Sequence, residues 1–335
     1  MNKRRNIMKK INTQMIGCDI NAQNIKFVGR WLREQDHAEG YWSGTYMEVV
    51  FTGHTFGLIL NQKANLSVTA DGGDAQYVAG ADEEVDLSLY LDTTKDVHTL
   101  RVALPDDTVD CLCVQALVIE EDATLLPPRE KLLIEIIGDS ITAGAFYKPQ
   151  SANTYACMTS RLLDVDYAPV SLGGLSLIQG LNGNRGAGIC TPETASMATR
   201  YFWTKPLDRH EKNDPWQFSA YTPHLVLINL GTNDGLSQRA DEAEFIKTYT
   251  DFVQKLREKY GQEIPIILVI PVKGFMKEAI TAVHEGLKQA HTYLVDATEF
   301  LVGADIHPTP EGHMVIAEKM ADAIRRVWEQ EGVSI

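Results

Sequence analysis

Three polar residues stand where an apolar run ends or a helix begins: Ser140, Asn233 and His307. In Ile134–Gly144, IEIIGDSITAG, the run closes on Gly138-Asp139-Ser140, and small residues follow. A serine there offers a hydroxyl nucleophile, provided a base accepts its proton. If Ile141-Thr142-Ala143-Gly144 opens a helix, its N–H groups face developing negative charge at Ser140. The same serine also suits an ordinary cap on a strand-to-helix turn, and the stretch alone does not choose between the two.

The segment 228–235, INLGTNDG, repeats the design and offers Asn233 beside Asp234. An asparagine amide donates to an oxyanion, whereas an ionised aspartate cannot; a self-satisfied turn is the other reading. In 303–313, GADIHPTPEGH, His307 precedes Pro308 in a loop before the last helix. Histidine is the side chain best suited to take a serine's proton near neutral pH and return it to a leaving group. Asp305 lies two residues upstream, where it can help orient the ring, and His313 reads as a residue of the helix itself. In 170–177, VSLGGLSL, a strand ends in Gly173-Gly174, whose N–H groups can approach a ligand closely or simply make a turn.

Other chemistries find no support. No G-x-S-x-G elbow surrounds any serine, and there is no Walker loop, no G-x-G-x-x-G after a first strand and no H-E-x-x-H. The nine histidines lack metal-ligand spacing. The five cysteines, Cys18, Cys111, Cys113, Cys157 and Cys190, are odd in number, scattered and without a C-x-x-C, which favours free thiols over a framework. On a strand, Cys111 and Cys113 would point to one face. No metal or organic cofactor is expected. A formal net charge of -14 without a basic stripe argues against nucleic acid or an anionic membrane as partner. The basic start, MNKRRNIMKK, lacks the apolar core of a signal peptide, and no run suits a membrane span, so a cytoplasmic location is expected.

The elements that must position these residues change in character along the chain. Up to about residue 120, short runs such as YMEVVFTG, TFGLILNQ, NLSVTADG, HTLRVAL and CLCVQALVIE alternate with Gly, Asp and Asn. Their spacing, roughly 8–12 residues, predicts an all-β sandwich. Pro127-Pro128 cannot continue a ladder and marks the boundary. Beyond it, the strands LLIEIIG, DYAPVSL, HLVLINLG, PIILVIPV and TYLVDA alternate with helices predicted over Asp241–Tyr260, Lys277–Ala290 and Pro310–Gln330. Such alternation predicts a parallel sheet covered on both faces, with its site at the carboxyl ends of the strands. The expected domains are a tail over 1–23, a β-sandwich over 24–122, a linker over 123–130 and a catalytic domain over 131–335.

Together these segments resemble the SGNH (GDSL-type) hydrolase superfamily. Gly138-Asp139-Ser140, the Gly173-Gly174 turn, Gly231-Thr232-Asn233-Asp234 and His307-Pro308 match its four blocks, in order. The front half narrows the likeness. IKFVGRW, YWSGTYMEVVFTG, the Pro-Pro-Arg lead into IIGDSITAG, and DPWQFSAYTPHLVLINLGTNDG resemble carbohydrate esterase family 2. That resemblance implies a jelly-roll-like sandwich followed by a three-layer α/β hydrolase domain, and the removal of acetyl groups from xylan, glucomannan and related sugars. It implies Ser140 as nucleophile, His307 as general base and later acid, and an oxyanion hole of the Ser140 N–H, the Gly174 N–H and the Asn233 side chain. Gly173 remains the other choice for the second donor.

The sequence departs from the superfamily at one place. The aspartate usually found three residues before the histidine is replaced by Ala304, and Asp305 stands two before. The resembling family includes members that use a Ser-His pair with a backbone carbonyl orienting the imidazole. Asp305 is therefore either a third catalytic member or a bystander.

The expected activity is that of a serine esterase acting on acetylated oligo- or polysaccharides. Trp203 and Trp216, between the second and third blocks, are candidates to stack on a sugar, with core packing as the plainer role. Two alternatives stay open: an esterase for short-chain non-carbohydrate esters, and a carbohydrate-binding protein with an inactive hydrolase domain. The oligomeric state is not legible.

Overall fold

The computed structural model describes residues 8–12, 24–34, 36–107, 111–178, 196–206, 214–237, 241–287, 291–300 and 305–334. Ala304, Cys18, Cys190 and most of the stretch 1–23 lie outside the described residues. The chain divides into two compact units, Met1–Glu130 and Lys131–Ile335.

The first unit is antiparallel throughout. Its strands are β1 (Met8–Asn12), β2 (Ile25–Arg33), β3 (Ala38–Thr52), β4 (Phe56–Leu60), β5 (Ala64–Ala70), β6 (Gln76–Ala81), β7 (Glu84–Asp86), β8 (Val97–Ala103), β9 (Leu112–Glu120) and β10 (Leu125–Leu126). The run spacing predicts a sandwich; hydrogen bonding joins these strands into a single ten-stranded sheet. The reason is β3, which changes neighbour along its length. Ala38–Gly40 pair with β9, whereas Tyr46–Thr52 pair with β8. Between these stretches Trp42 (φ 72°) and Gly44 (φ 89°) leave extended geometry, so the strand bends as a bulge would bend it. The stretch 1–23, expected to be a tail, contains β1, which pairs with β9. Lys9 Nζ anchors it on the carbonyls of Glu121 (3.0 Å) and Ala123 (2.6 Å). The core, including Met47, Val49, Phe51, Phe56, Leu66, Leu100, Leu117 and Ile119, comes from alternate positions of these strands.

The second unit holds five parallel strands, β11 (Leu133–Gly138), β12 (Asp166–Ser171), β13 (Leu225–Asn229), β14 (Ile266–Ile270) and β15 (Thr292–Asp296), in the order β12-β11-β13-β14-β15. Its helices are α1 (Ser140–Ala143), α2 (Tyr155–Leu163), α3 (Met197–Arg200), α4 (Thr232–Ser237), α5 (Glu242–Tyr260), α6 (Lys277–Leu287) and α7 (Pro310–Gln330). Every residue of β13 and β14 is buried, as the unbroken apolar runs require of strands covered on both faces. Asp241 caps α5 and Thr309 caps α7, where Pro310 takes the first turn. The periodic stripes predicted for these helices, Phe245-Tyr249-Phe252-Leu256 and Ile316-Met320-Ile324-Val327, are buried.

One buried acid breaks the apolar pattern. Glu135, in β11, is wholly buried and accepts hydrogen bonds from the hydroxyls of Tyr201, Tyr221 (2.5 Å) and Tyr260 (3.1 Å). These donors compensate the carboxylate and tie the segment after α3 and the end of α5 to β11. Among the described residues no helix is long and apolar enough to cross a membrane.

Candidate active site

Sheet register aligns the three strand ends. Gly138 of β11 pairs with Ser171 of β12 on one side and with Asn229 of β13 on the other. Ser140, Gly174 and Asn233 therefore follow one row of residues by two, three and four positions. All emerge at the carboxyl edge of the sheet, where open α/β folds keep their sites.

The turn carrying Ser140 is built by its neighbours. A Cβ on Gly138 would stand 2.0 Å from the Thr142 Oγ1, so only glycine lets Thr142 fold back over the strand end. Asp139 caps α1, its Oδ1 accepting the Ile141 N–H at 3.0 Å. Burial pushes the Asp139 carboxyl up to about 6. The helix foreseen after Ser140 is a single turn that stops at Gly144 (φ 80°). The Ser140 Oγ lies 2.8 Å from the His307 Nε2. Two residues 167 positions apart in the chain are brought into one hydrogen bond, in the geometry by which an imidazole takes a serine proton.

Below this pair runs a buried polar network. Thr142 Oγ1 and the Tyr155 hydroxyl are 2.9 Å apart, and Asn229 Nδ2 donates to the same hydroxyl at 3.0 Å. The Tyr155 N–H donates to His313 Nδ1 at 3.1 Å. This contact joins the first residue of α2 to α7 and leaves the His313 proton on Nε2. Burial first, and then the nearby His307, lower the His313 pKa to about 4, so this ring is neutral at ordinary pH. The network connects the strand ends, the serine turn and the helix that follows His307.

The second and third blocks clasp one another. Leu172–Leu175 form a turn closed by the Leu175 N–H on the Leu172 carbonyl (3.3 Å), with Gly174 at φ 79°. An L side chain rarely adopts that angle, which accounts for glycine at this position. Asn233 Nδ2 donates to the Leu175 carbonyl at 2.8 Å. Asp234 is buried and accepts the N–H groups of Leu177 (2.9 Å, Oδ2) and Ile178 (3.1 Å, Oδ1). Burial raises the Asp234 pKa, while those two N–H groups favour its charge.

The remaining candidates lie differently. Asp305 is exposed, and among the described residues no hydrogen bond joins its carboxylate to the His307 ring. Trp216 is 6% exposed and packs on Tyr221 with ring centroids 5.6 Å apart, so its indole is an interior side chain rather than an open platform. Trp203 is half-buried and bridges to Pro215.

Three further residues were not singled out for the site. Phe146 is 73% exposed and meets the His307 ring edge to face at 4.9 Å. Its φ of 83° is a rare backbone state for a bulky residue, and no sequence pattern announces it. Tyr155 and His313 carry the support network. The placement of His313 inside an apolar helical stripe was the one available signal.

Residues 136–315 match the model of the GDSL-like Lipase/Acylhydrolase family. An acetylxylan esterase / glucomannan deacetylase of Cellvibrio japonicus is 26% identical over 224 residues, 62% of this chain and 59% of that protein. A cellulase/esterase of Acetivibrio thermocellus is 27% identical over 216 residues, 57% of this chain and 25% of that protein. The chain thus spans well under two thirds of either relative. Among solved structures, a family two carbohydrate esterase from Cellvibrio japonicus superposes with a TM-score of 0.78 at 20% identity. That alignment covers 96% of this chain and 98% of the other, and it shows a common two-unit fold.

Proposed function

The chain belongs to the GDSL-like lipase/acylhydrolase family, and from that membership we propose that it is a serine esterase removing O-acetyl groups from carbohydrates. The observation that carries the reading is the 2.8 Å contact between Ser140 Oγ and His307 Nε2 at the carboxyl edge of the sheet. The name of the Cellvibrio japonicus relative, acetylxylan esterase / glucomannan deacetylase, supports the choice of substrate.

In this mechanism Ser140 Oγ attacks the acetyl carbonyl as His307 Nε2 takes its proton. The oxyanion is held by the N–H groups of Ser140 and Gly174 and by Asn233 Nδ2. The Gly174 N–H has no acceptor among the described residues, which favours it for this role. One Asn233 N–H is used on Leu175, and the second is left for the oxyanion. His307 then protonates the departing sugar oxygen, leaving acetyl-Ser140. Water, deprotonated by His307, attacks that ester and releases acetate and free serine. The reading treats Ser140 and His307 as a pair, with Asp305 outside it, and keeps Trp203 as the residue that stacks on sugar. It also takes 131–335 as the catalytic domain and the antiparallel unit as a jelly-roll variant, consistent with the family-two likeness.

A second reading, an esterase for short-chain non-carbohydrate esters, draws on Phe146, whose exposed ring lies against His307 and suits an apolar acyl group. A substrate panel separates the two. Acetate release from acetylated xylo- and manno-oligosaccharides should exceed hydrolysis of p-nitrophenyl butyrate and octanoate. Activity rising with acyl length, with no acetate released from sugar, would replace the first reading by the second.

A further inference from the structure

We propose that His37, Glu39 and Cys113, joined by Cys111, form a binding site for one zinc ion in the antiparallel unit. Cross-strand register makes the cluster. Ala38 pairs with Val114 and Gly40 with Leu112, so Glu39 stands directly opposite Cys113. Positions 37, 39 and 41 alternate to one face of that pair, as do 111 and 113. A donor atom from each of His37, Glu39 and Cys113 falls within 4.8 Å of the other two. Ligands held at about 2.0–2.3 Å around a tetrahedral ion stand roughly 3.3–3.8 Å apart, so small side-chain rotations bring the three into place.

The hydrogen bonds around the cluster point to a cation. His37 Nδ1 is 2.6 Å from Asp36 Oδ1, and its Nε2 is 3.1 Å from Glu39 Oε1. Both ring nitrogens thus face carboxylates, an arrangement that favours positive charge at the ring, supplied either by a second proton or by a metal ion on one nitrogen. With the proton on Nδ1 and bonded to Asp36, Nε2 faces the cluster. That is the arrangement by which a carboxylate orients a metal-binding histidine. The Tyr41 hydroxyl donates to Glu39 Oε2 and leaves Oε1 as the inward ligand. Cys113 is 3% exposed, and the Cys111 thiol is within hydrogen-bonding reach of it.

A mixed set of nitrogen, oxygen and sulfur selects zinc over calcium or magnesium, which take oxygen alone. On binding, the ion replaces the Cys113 thiol proton and any proton shared by His37 and Glu39, and both leave to solvent. The ion would clasp the start of β3 to the start of β9. Nothing in this proposal depends on the esterase reading, because every ligand belongs to the first unit.

The test uses the full chain, stripped with a chelator and titrated with CoCl2, then with ZnCl2. The wild type should bind one equivalent of Co2+ with a thiolate-to-metal charge-transfer band, and zinc should abolish that band. Cys113→Ser should lose the band. His37→Gln and Glu39→Gln should weaken binding at least about tenfold, and Asp36→Asn about 10–100-fold. Should Cys113→Ser fail to fold, the half-buried His37 and Glu39 variants, checked by thermal unfolding, decide the matter. A folded wild type that gives no thiolate band would overturn the site. So would a band that survives in folded Cys113→Ser, or one indifferent to both the His37 and Glu39 changes.

Discussion

Asn233 donates its side-chain amide to the carbonyl of Leu175, 2.8 Å away. One N–H of the amide is thereby fixed on the residue after Gly174, and the direction of the other is set. Removing the group in Asn233→Ala should lower kcat by roughly 10²–10³, with KM changed far less, as expected of a donor that acts on the transition state. Asn233→Asp should be worse than Ala, because a carboxylate would face both the Leu175 carbonyl and the oxyanion. Steady-state kinetics on an acetylated oligosaccharide decide this, and an Asp variant more active than Ala would argue against it.

His313 links active-site geometry to pH-dependent stability. Its folded pKa, about 4, lies below the ordinary histidine value of about 6.5. The unfolded chain therefore binds a proton between those values that the folded chain refuses. The stabilisation is fully present above about pH 6.5 and is lost as pH falls towards 4. The shift corresponds to about 3 kcal/mol. Urea unfolding of wild type and His313→Gln should show the wild type's stability falling relative to the variant across that window. Parallel profiles would show that the ring is not buried neutral.

Asp305 is exposed, and no described hydrogen bond joins it to His307. Asp305→Ala should therefore cost only a few-fold in kcat/KM. A true triad aspartate costs on the order of 10⁴ when its role is removed, so a loss of that size would make Asp305 a third member after all.

The parts of this site that could be read before the fold are those with a local signature. An apolar strand ending in Gly138-Asp139-Ser140, the Gly231–Asp234 turn and a Thr309-Pro310 helix start each announce their structure within a few residues. What they do not announce is contact across the chain. That Asp234 would take the N–H groups of Leu177 and Ile178 follows from tertiary packing alone, since an acid in a turn is ordinarily a solvated side chain. Phe146 was hidden because its rare backbone angle has no sequence code. In the antiparallel unit the run spacing announces strands, but the change of partner inside β3 depends on a bend at Trp42 and Gly44 that strand propensity does not encode.

The central claim is that Ser140 forms the acyl-enzyme with His307 as its base. Its most direct test is acetate release from an acetylated xylo-oligosaccharide by the wild type and by Ser140→Ala, with folding checked by thermal unfolding. A fall in kcat on the order of 10⁴ or more in a folded variant is predicted. A folded Ser140→Ala that retains activity within a few-fold of the wild type would contradict the account.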